Sequence, residues 1–480
     1  MNFGFIRYIL GWILNFQGAF LLAPCIVSII YKEKSGYAFI IASLISFTAG
    51  ALCTWKKPKN KSFYAKEGFV SVALGWIVLS ISGALPFLIS GEIPNVFDAL
   101  FETISGYTTT GATILSDVEA MSKTVLFWRS FTHWIGGMGI LVFVLCILPL
   151  AGGNNMHLMR AESPGPSVGK LVPRVKSTAM ILYGIYTFLT VLECILLLIG
   201  GMGAFDAITT SFATAGTGGF GIRNSSMAEY NMFIQNVVAV FMVLFGVNFT
   251  IYFLILVRKP KQVFKSEELK AYFGIILVAT LVIGFNIRDS FSSIWVALQQ
   301  AFFQVGTIIT TTGFATTDFN LWPTLSKSII VLLMFIGACA GSTGGGIKVS
   351  RIVIAFKNVK NEIASFIHPK SVQIIRLEGK KVGNDVVRSV NTYLVLYAVL
   401  FVVSVLCISL ENYSFETSFT SVAATLNNIG PGLDGVGPME NFGKFNPFSK
   451  VVFMFDMLAG RLELIPMVIL FSPCTWKKSK

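Results

Sequence analysis

The chain has 480 residues, of which 54% are hydrophobic and only 13% are charged, and its mean hydropathy is +0.72. About a quarter of the residues of an ordinary soluble domain are charged, so this composition excludes a soluble fold. The formal charge of +13 does not indicate nucleic-acid binding, because the Lys and Arg residues cluster in loops between apolar stretches.

The chain begins with two apolar stretches, at about 7–31 and 38–55. The first stretch is longer than the apolar region of a secretory signal, about 7–15 residues, and further membrane segments follow it. We therefore predict two retained transmembrane helices in an N-terminal region, 1–66.

Four similar segments follow, each with an apolar lead-in, a short amphipathic stretch and a tip rich in Thr, Gly and Asn. They read FDALFETISGYTTTGAT (97–113), FDAITTSFATAGTGGFG (205–221), QQAFFQVGTIITTTGFA (299–315) and ETSFTSVAATLNNIGPG (416–432). Aligned without gaps, they place Gly111, Gly219, Gly313 and Gly430 in one column. Non-helical backbone at membrane depth is tolerated only inside protein or beside a watery cavity. We therefore predict four re-entrant half-helices that converge on one pore.

Each segment lies between apolar stretches, some of them long enough to cross a bilayer, which takes about 20 residues. This predicts an all-α integral membrane protein with four pseudo-symmetric helix, pore loop, helix units around a central pore, and ten crossings in all. The units, numbered 1 to 4, are 67–176, 177–270, 271–386 and 387–480. Predicted crossings include 71–90, 125–150, 179–200, 234–257, 391–410 and 451–473.

Basic and acidic residues fall in different loops. By the positive-inside rule, the basic runs are predicted to be cytoplasmic, together with both termini. Lys32 and Lys34 are exceptions to this scheme, in a short turn. The basic runs are 56–66, 160–176, 258–270, 348–388 and 477–480, and the predicted external acidic residues are Glu92, Asp98, Glu102, Asp117, Glu119, Asp318, Glu411, Asp434 and Glu440.

The second helix of unit 3 is interrupted after Cys339 by GSTGGGIK, at 341–348. Glycine in a helix interior costs about 1 kcal/mol relative to Ala, so this run is expected to unwind into an intramembrane loop below the pore. It does not match a phosphate-binding loop, because Ile347 separates Gly346 from Lys348.

The aligned tips offer neutral oxygen ligands for a dehydrated potassium ion, namely backbone carbonyls and Thr hydroxyls. Glycine permits the positive φ values that turn successive carbonyls inward, and helix C-termini that end there favour a cation. The alternative is that the small residues only allow close helix packing. The predicted filter residues are Thr109, Thr110, Gly111, Thr217, Gly218, Gly219, Thr311, Thr312, Gly313, Asn428, Ile429 and Gly430.

Arg461, His133 and Glu193 are ionisable residues within apolar stretches. A lone cation such as Arg461 costs at least about 2.5–3.5 kcal/mol there, so it either faces a wet path or pairs with Asp456, Glu463 or the end of a neighbouring helix. For His133 a packing or interfacial role is favoured over ion coupling, and the sequence does not decide the role of Glu193. The seven cysteines have no CxxC spacing and are expected to be small core residues.

The filter tips, the broken helix with AGSTGGGIK and the late GRLE resemble the Trk/Ktr/HKT superfamily, and in particular its Trk branch in bacteria. The resemblance covers almost the whole chain, including the two N-terminal helices that the Ktr branch lacks. It implies a potassium-selective pore, a homodimer in the inner membrane and a cytoplasmic nucleotide-binding regulatory subunit resembling TrkA. The basic runs 160–176 and 348–388 are candidates to dock that subunit, and contact with anionic membrane lipid would explain the same charge.

The resemblance also implies that the predicted filter residues form the family's selectivity filter. It further implies that the intramembrane loop obstructs the permeation path and that Arg461 projects into this path. The implied gating residues are Gly341, Ser342, Thr343, Gly344, Gly345, Gly346, Lys348 and Arg461.

A gated pathway that K⁺ follows down its electrochemical gradient is favoured over an H⁺- or Na⁺-coupled symporter, because few acidic residues lie at the predicted midplane. An enzyme is not indicated, since the three histidines, His133, His157 and His368, have no metalloprotease-like spacing. We expect K⁺ as the transported ion, no organic cofactor and no nucleic-acid partner.

Overall fold

The structure, a computed structural model, describes residues 1–58, 65–139, 175–369 and 374–476. Its described residues are mainly helical with very little strand, as predicted. The strands found among them are β1 (Arg376–Leu377) and β2 (Lys380–Lys381), a short antiparallel hairpin. The end of the predicted crossing 125–150, most of the basic run 160–176, part of the run 56–66 and the run 477–480 lie outside the described residues.

The N-terminal region forms two spans, as predicted. Helices α1 (Phe3–Phe20) and α2 (Ala23–Tyr31) make one span of 29 residues, and α3 (Gly36–Thr54) makes the next. They pack closely because glycines lie at the contact: a Cβ on Gly11 would lie 2.7 Å from the Cβ of Cys53. The turn between the spans places the Glu33 carboxylate on the backbone N–H of Thr124, 2.8 Å away, at the start of a later helix.

Four units follow, each with a first helix, a pore helix and a second helix. The first helices are α4 (Ala65–Ser90), α7 (Val175–Ile199), α12 (Glu267–Asn286) and α16 (Asn384–Ile408). The pore helices are α5 (Val96–Tyr107), α8 (Ala204–Gly216), α13 (Ile294–Ile309) and α17 (Phe415–Leu426). The second helices are α6 (Lys123–Gly137), α9 (Met232–Phe245) with α10 (Phe249–Leu256), α14 (Thr324–Phe335) with α15 (Val349–Ile367), and α18 (Pro447–Arg461) with α19 (Ile465–Phe471). Two short helices complete the described chain, α11 (Pro260–Val263) and α20 (Pro473–Trp476).

The pore helices are too short to cross a bilayer and are enclosed by protein. Their C-terminal turns are buried on all sides, at 101–107, 213–216, 303–309 and 420–426. Three of them begin with a side-chain cap, from Asn95, Ser293 and Ser414, which satisfies the unpaired N–H groups of the first turn. These are the re-entrant half-helices expected from the sequence.

The second helices of units 2, 3 and 4 are all interrupted, whereas the sequence indicated a break only in unit 3. Helices α9 and α10 meet at 90°, and Glu463 and Leu464, with φ of 61° and 64°, end α18. In unit 3 the break comes before Cys339, because α14 already ends at Phe335 and the next residue pairs with Ile347 in a parallel bridge. Within the described ranges, six helices are long and apolar enough to cross a membrane, or seven with the bent pair, and the other predicted crossings fall on interrupted or undescribed segments.

Two acidic residues that the sequence placed in an external loop lie in α5 instead. Asp98 is in its first turn and pairs with the buried Lys450, at 2.5 Å. Glu102 is fully buried two turns before the filter. The charge scheme and the repeat alignment disagreed on these two residues, and the half-helix predicted at 97–113 is the one observed.

Candidate ion-selectivity site

The four pore helices end in the same backbone geometry. The residue that starts each predicted filter segment has a left-handed φ: 55° at Thr109, 54° at Thr217, 58° at Thr311 and 55° at Asn428. The next N–H donates to the carbonyl five residues earlier, at 2.8–2.9 Å in every unit. This is the Schellman arrangement, which usually has glycine at the left-handed position. A β-branched Thr is rare there, and such residues cluster at functional sites.

The glycine column two residues later is also left-handed. Its φ values are 77° at Gly111, 73° at Gly219, 89° at Gly313 and 96° at Gly430. The middle residue of each segment has a φ outside the left-handed region, so the sign of φ alternates along the segment. This alternation turns successive carbonyl oxygens to one side of the chain, the arrangement that a cation filter requires.

The four segments form a closed ring. A Cβ built on Gly111 would overlap the carbonyl oxygen of Gly218, and the same relation joins unit 2 to unit 3 and unit 3 to unit 4. Unit 4 closes the ring, since a Cβ on Gly430 would lie 2.8 Å from the carbonyl oxygen of Thr110. All four glycines line one cavity on the side of the predicted external loops.

The hydroxyls of Thr110 and Thr312 are bonded to neighbouring threonine hydroxyls. The Oγ1 of Thr110 lies 2.8 Å from that of Thr108, and the Oγ1 of Thr312 lies 2.8 Å from that of Thr310. In unit 4, the amide nitrogen of Asn428 donates to the Thr110 hydroxyl at 2.9 Å. The carbonyl oxygens of the middle residues, which abut the filter glycines, are therefore the candidate ligands, and these side-chain bonds hold the segments in place.

A buried ion pair, which the sequence did not reveal, lies within unit 1 above the filter, and its arginine also reaches unit 2. Arg129 lies 2.7 Å from Glu102, and their side chains are 2% and 0% exposed. Arg129 also donates to the carbonyl of Gly221 and to the hydroxyl of Thr113, each at 3.3 Å. The available sequence signal was a charged residue in each of two apolar helices, since such residues need a partner.

The intramembrane loop lies on the opposite side of the filter from the external cavity. The N–H of Gly345 donates to the Thr311 hydroxyl at 2.7 Å, so the loop contacts the filter directly. The fully buried Lys348 donates to the carbonyl of Gly345 at 3.0 Å and to that of Gly344. Thr343 and Ser342 bond to carbonyls of Phe245 and Cys339. The predicted loop residues are thus brought together beneath the ring.

Arg461 ties this loop to unit 1. Its guanidinium donates to the carbonyl of Thr343 at 2.6 Å and to that of Gly137, at the end of α6, at 2.9 Å. Of the partners weighed from sequence, Glu463 pairs with Arg351 and Asp456 accepts from Ser404. The end of a neighbouring helix is therefore one of its partners, and the loop is another.

Glu268, a residue that the sequence did not single out, holds both ends of the loop. Its carboxylate accepts from the N–H of Ala340 at 2.7 Å and from that of Ser350 at 3.2 Å. It lies at the start of α12, within the basic run 258–270, and is buried. His133 and Glu193 are also fully buried, on α6 and α7.

Comparison with known proteins gives consistent results. The family model TrkH, described as cation transport protein, matches residues 35–478. The chain is 38% identical to the Trk system potassium uptake protein TrkH of Escherichia coli K12 over the full length of both chains, and 34% identical to TrkG of the same organism over 98% of each. The crystal structure of the potassium transporter TrkH from Vibrio parahaemolyticus covers 99% of this chain and 100% of that chain, with 35% identity and a TM-score of 0.89.

Proposed function

Because the chain belongs to the TrkH family of cation transport proteins, we propose that it is a potassium-conducting subunit that mediates K⁺ uptake across a bacterial inner membrane, with both termini in the cytoplasm. The family consists of transporters and not of enzymes, and the chain is a multi-pass membrane protein. Potassium is supported by the names of the full-length relatives.

The observation that carries this proposal is the closed ring at the pore-helix ends. Each glycine abuts the carbonyl oxygen of the next unit, with Gly430 returning to Thr110. Neutral carbonyl oxygens can replace the water around K⁺, and four helix C-termini direct partial negative charge to the same place. An inside-negative potential of 100 mV then favours entry by about 2.3 kcal/mol per unit charge.

Gating by the intramembrane loop is the second part of the proposal. The loop contacts Thr311 from below, and Arg461 adds a fixed positive charge beside it. The loop runs directly into α15, which begins at Val349. A regulatory subunit resembling TrkA, docked on α15 from the cytoplasm, could therefore move the loop by displacing this helix. We also propose a homodimer, as the family resemblance implies.

The test is uptake of ⁸⁶Rb⁺ and ²²Na⁺ into liposomes that contain the purified protein. Gly313→Ser should abolish uptake or make it sodium-permissive, because Gly313 has a φ of 89° and a Cβ there would overlap the carbonyl of Ile429. Gly274→Ser is the matched control, since Gly274 lies in α12 of the same unit with no atom within 4 Å of its added Cβ. Selective uptake that is unchanged by Gly313→Ser would contradict the filter assignment.

Coupled symport with H⁺ or Na⁺ is the alternative, and two buried carboxyl groups favour it. Glu193 on α7 and Asp456 on α18 are both 0% exposed inside the membrane region, where ionisable residues often belong to proton relays. An imposed pH or Na⁺ gradient, at constant K⁺ gradient and voltage, distinguishes the two mechanisms. A conducting pore gives the same K⁺ flux with and without the imposed gradient, whereas the K⁺ flux of a symporter changes when the gradient of its coupling ion is imposed.

A further inference from the structure

One filter segment lacks a side chain that the other three have. The middle position is Thr110 in unit 1, Thr312 in unit 3 and Ile429 in unit 4, but it is Gly218 in unit 2. The φ of Gly218 lies outside the left-handed region, in contrast to that of Gly219. The backbone conformation therefore does not require glycine at this position, and another cause must exclude a side chain.

That cause is an imidazole ring from unit 1. A Cβ built on Gly218 would overlap Cγ and Nδ1 of His133. His133 lies on α6 and is 0% exposed, and its backbone carbonyl closes in on Gly216 in the same way. The imidazole ring of His133 therefore occupies the space behind the unit 2 filter segment. In the other three units, the side chain of the middle residue fills the corresponding space.

The same helix also holds the residue that follows the filter glycine. The ring of Phe220 stacks on His133 with centroids 4.3 Å apart and planes 24° apart. The guanidinium carbon of Arg129, one turn away on α6, lies 4.1 Å from the centroid of Phe220. Helix α6 thus contacts the unit 2 segment on both sides of Gly219.

We propose that His133 is a positioning residue for the filter, which replaces the missing side chain of Gly218 and thereby sets the choice of K⁺ over Na⁺. This inference rests on the proposed function of the four filter segments as a selectivity filter. The physical reason is that the Gly218 carbonyl abuts Gly111 in the closed ring, so a shift of the unit 2 segment changes the spacing of the carbonyl oxygens. Close packing behind the segment prevents that shift.

The test is a double-mutant cycle in the full-length protein in liposomes, read as the ratio of ⁸⁶Rb⁺ to ²²Na⁺ uptake. His133→Ala leaves a void behind the unit 2 segment, and Gly218→Ala forces a methyl group against the imidazole ring of His133. Each should lower the ratio by about tenfold, within the range that contacting residues show. The double variant should recover to within about threefold of wild type, because the methyl group then enters the vacated space. His133→Gln, which keeps most of the volume, should stay near wild type.

Two controls make the outcomes separable. Ile135→Ala makes a cavity on the same helix at another buried residue and should change thermal stability but not the uptake ratio. If Gly218→Ala does not yield folded protein, recovery of folded, selective protein in the double variant supports the inference equally. The inference is overturned if the double variant lowers the uptake ratio by the product of the two single-variant factors. If Gly313→Ser still destroys selectivity in that case, the proposed function stands. Selectivity that survives Gly313→Ser overturns both.

Discussion

The filter ring and the intramembrane loop are in contact, yet different kinds of interaction hold them. In the filter, the N–H groups of Thr109 and Thr110 bond to carbonyls three and five residues earlier, and all four units repeat this pattern. In the loop, Gly345 bonds to a residue 34 positions away, Ala340 to one 72 positions away and Thr343 to one 118 positions away. Local backbone bonds shape each filter segment, whereas the loop depends on the charged side chains of Arg461, Glu268 and Lys348.

This difference separates selectivity from gating. A segment whose backbone bonds are local keeps its own conformation when the loop moves, while packing contacts such as that between His133 and Gly218 set its position in the ring. A loop held by a guanidinium, an ammonium and a carboxylate depends on charge-assisted bonds, each worth about 1.5–3 kcal/mol. Releasing a few of those bonds can move the loop and leave the filter intact.

The largest effect is expected from a filter glycine. Gly111→Ala should reduce selective K⁺ uptake by at least about 100-fold, because overlap with the Gly218 carbonyl adds to the roughly 1–2 kcal/mol cost of a left-handed Ala. Gly91→Ala is the control, since Gly91 has the same φ of 77° and nothing within 4 Å of its added Cβ. Flux assays in liposomes compare the two variants. Equal losses would show that backbone strain alone, and not closure of the ring, explains the effect.

A smaller effect, in the opposite direction, is expected from the loop. Arg461→Gln should raise K⁺ uptake on the order of tenfold without changing the K⁺/Na⁺ ratio, because it removes charge-assisted bonds to Thr343 and Gly137 and a positive charge beside the path. Single-channel or liposome flux measurements report both quantities. Arg288→Gln removes the same charge from an exposed site and should leave uptake unchanged. Lower uptake, or a changed ion ratio in folded protein, would mean that the loop and the filter are not separable.

The smallest effect concerns the support of the unit 4 pore helix. Asp434 accepts bonds from Ser414, which caps α17, and from Thr417 at 2.7 Å, and these bonds lower the pKa of its carboxyl group. The stabilisation is present above the ordinary aspartate pKa of about 3.9 and is lost as the pH falls through the lower folded-state pKa.

Below pH 4, the melting temperature should therefore fall more steeply with decreasing pH for wild type than for Asp434→Asn. The difference should be on the order of 1 °C, since the carboxyl group is exposed. Selectivity at neutral pH should not change in this variant. Identical pH profiles would show that this external contact does not support the pore helix.

The sequence predicted best what is local and repeated. The glycine column through Gly219 and Gly313 follows from spacing and composition alone, and both residues adopt the expected left-handed φ. The break in unit 3 was predicted from its glycines, although its start at Phe335 was not, because a bridge to Ile347 determines it.

Contacts between distant residues could not be predicted in the same way. The side chain of His133 fits Gly218, 85 positions later in the numbering, and no periodic pattern connects the two. Glu102 was counted with the external loop residues only by the charge scheme, whereas the repeat 97–113 already placed it in a predicted half-helix, as observed. The bends in units 2 and 4 do have local sequence signals, which the prediction overlooked: Gly246 and Asn248 lie between α9 and α10, and Pro466 lies in the first turn of α19.

The most direct test of the central claim is a crystal structure of the protein grown in Rb⁺, with anomalous scattering used to locate the ion. We expect anomalous density on the axis of the ring, among the carbonyl oxygens of Thr110, Gly218, Thr312 and Ile429, and its loss when Rb⁺ is replaced by Na⁺. Rubidium bound elsewhere along the path, with none inside the ring, would contradict the claim that these four segments form the selectivity filter.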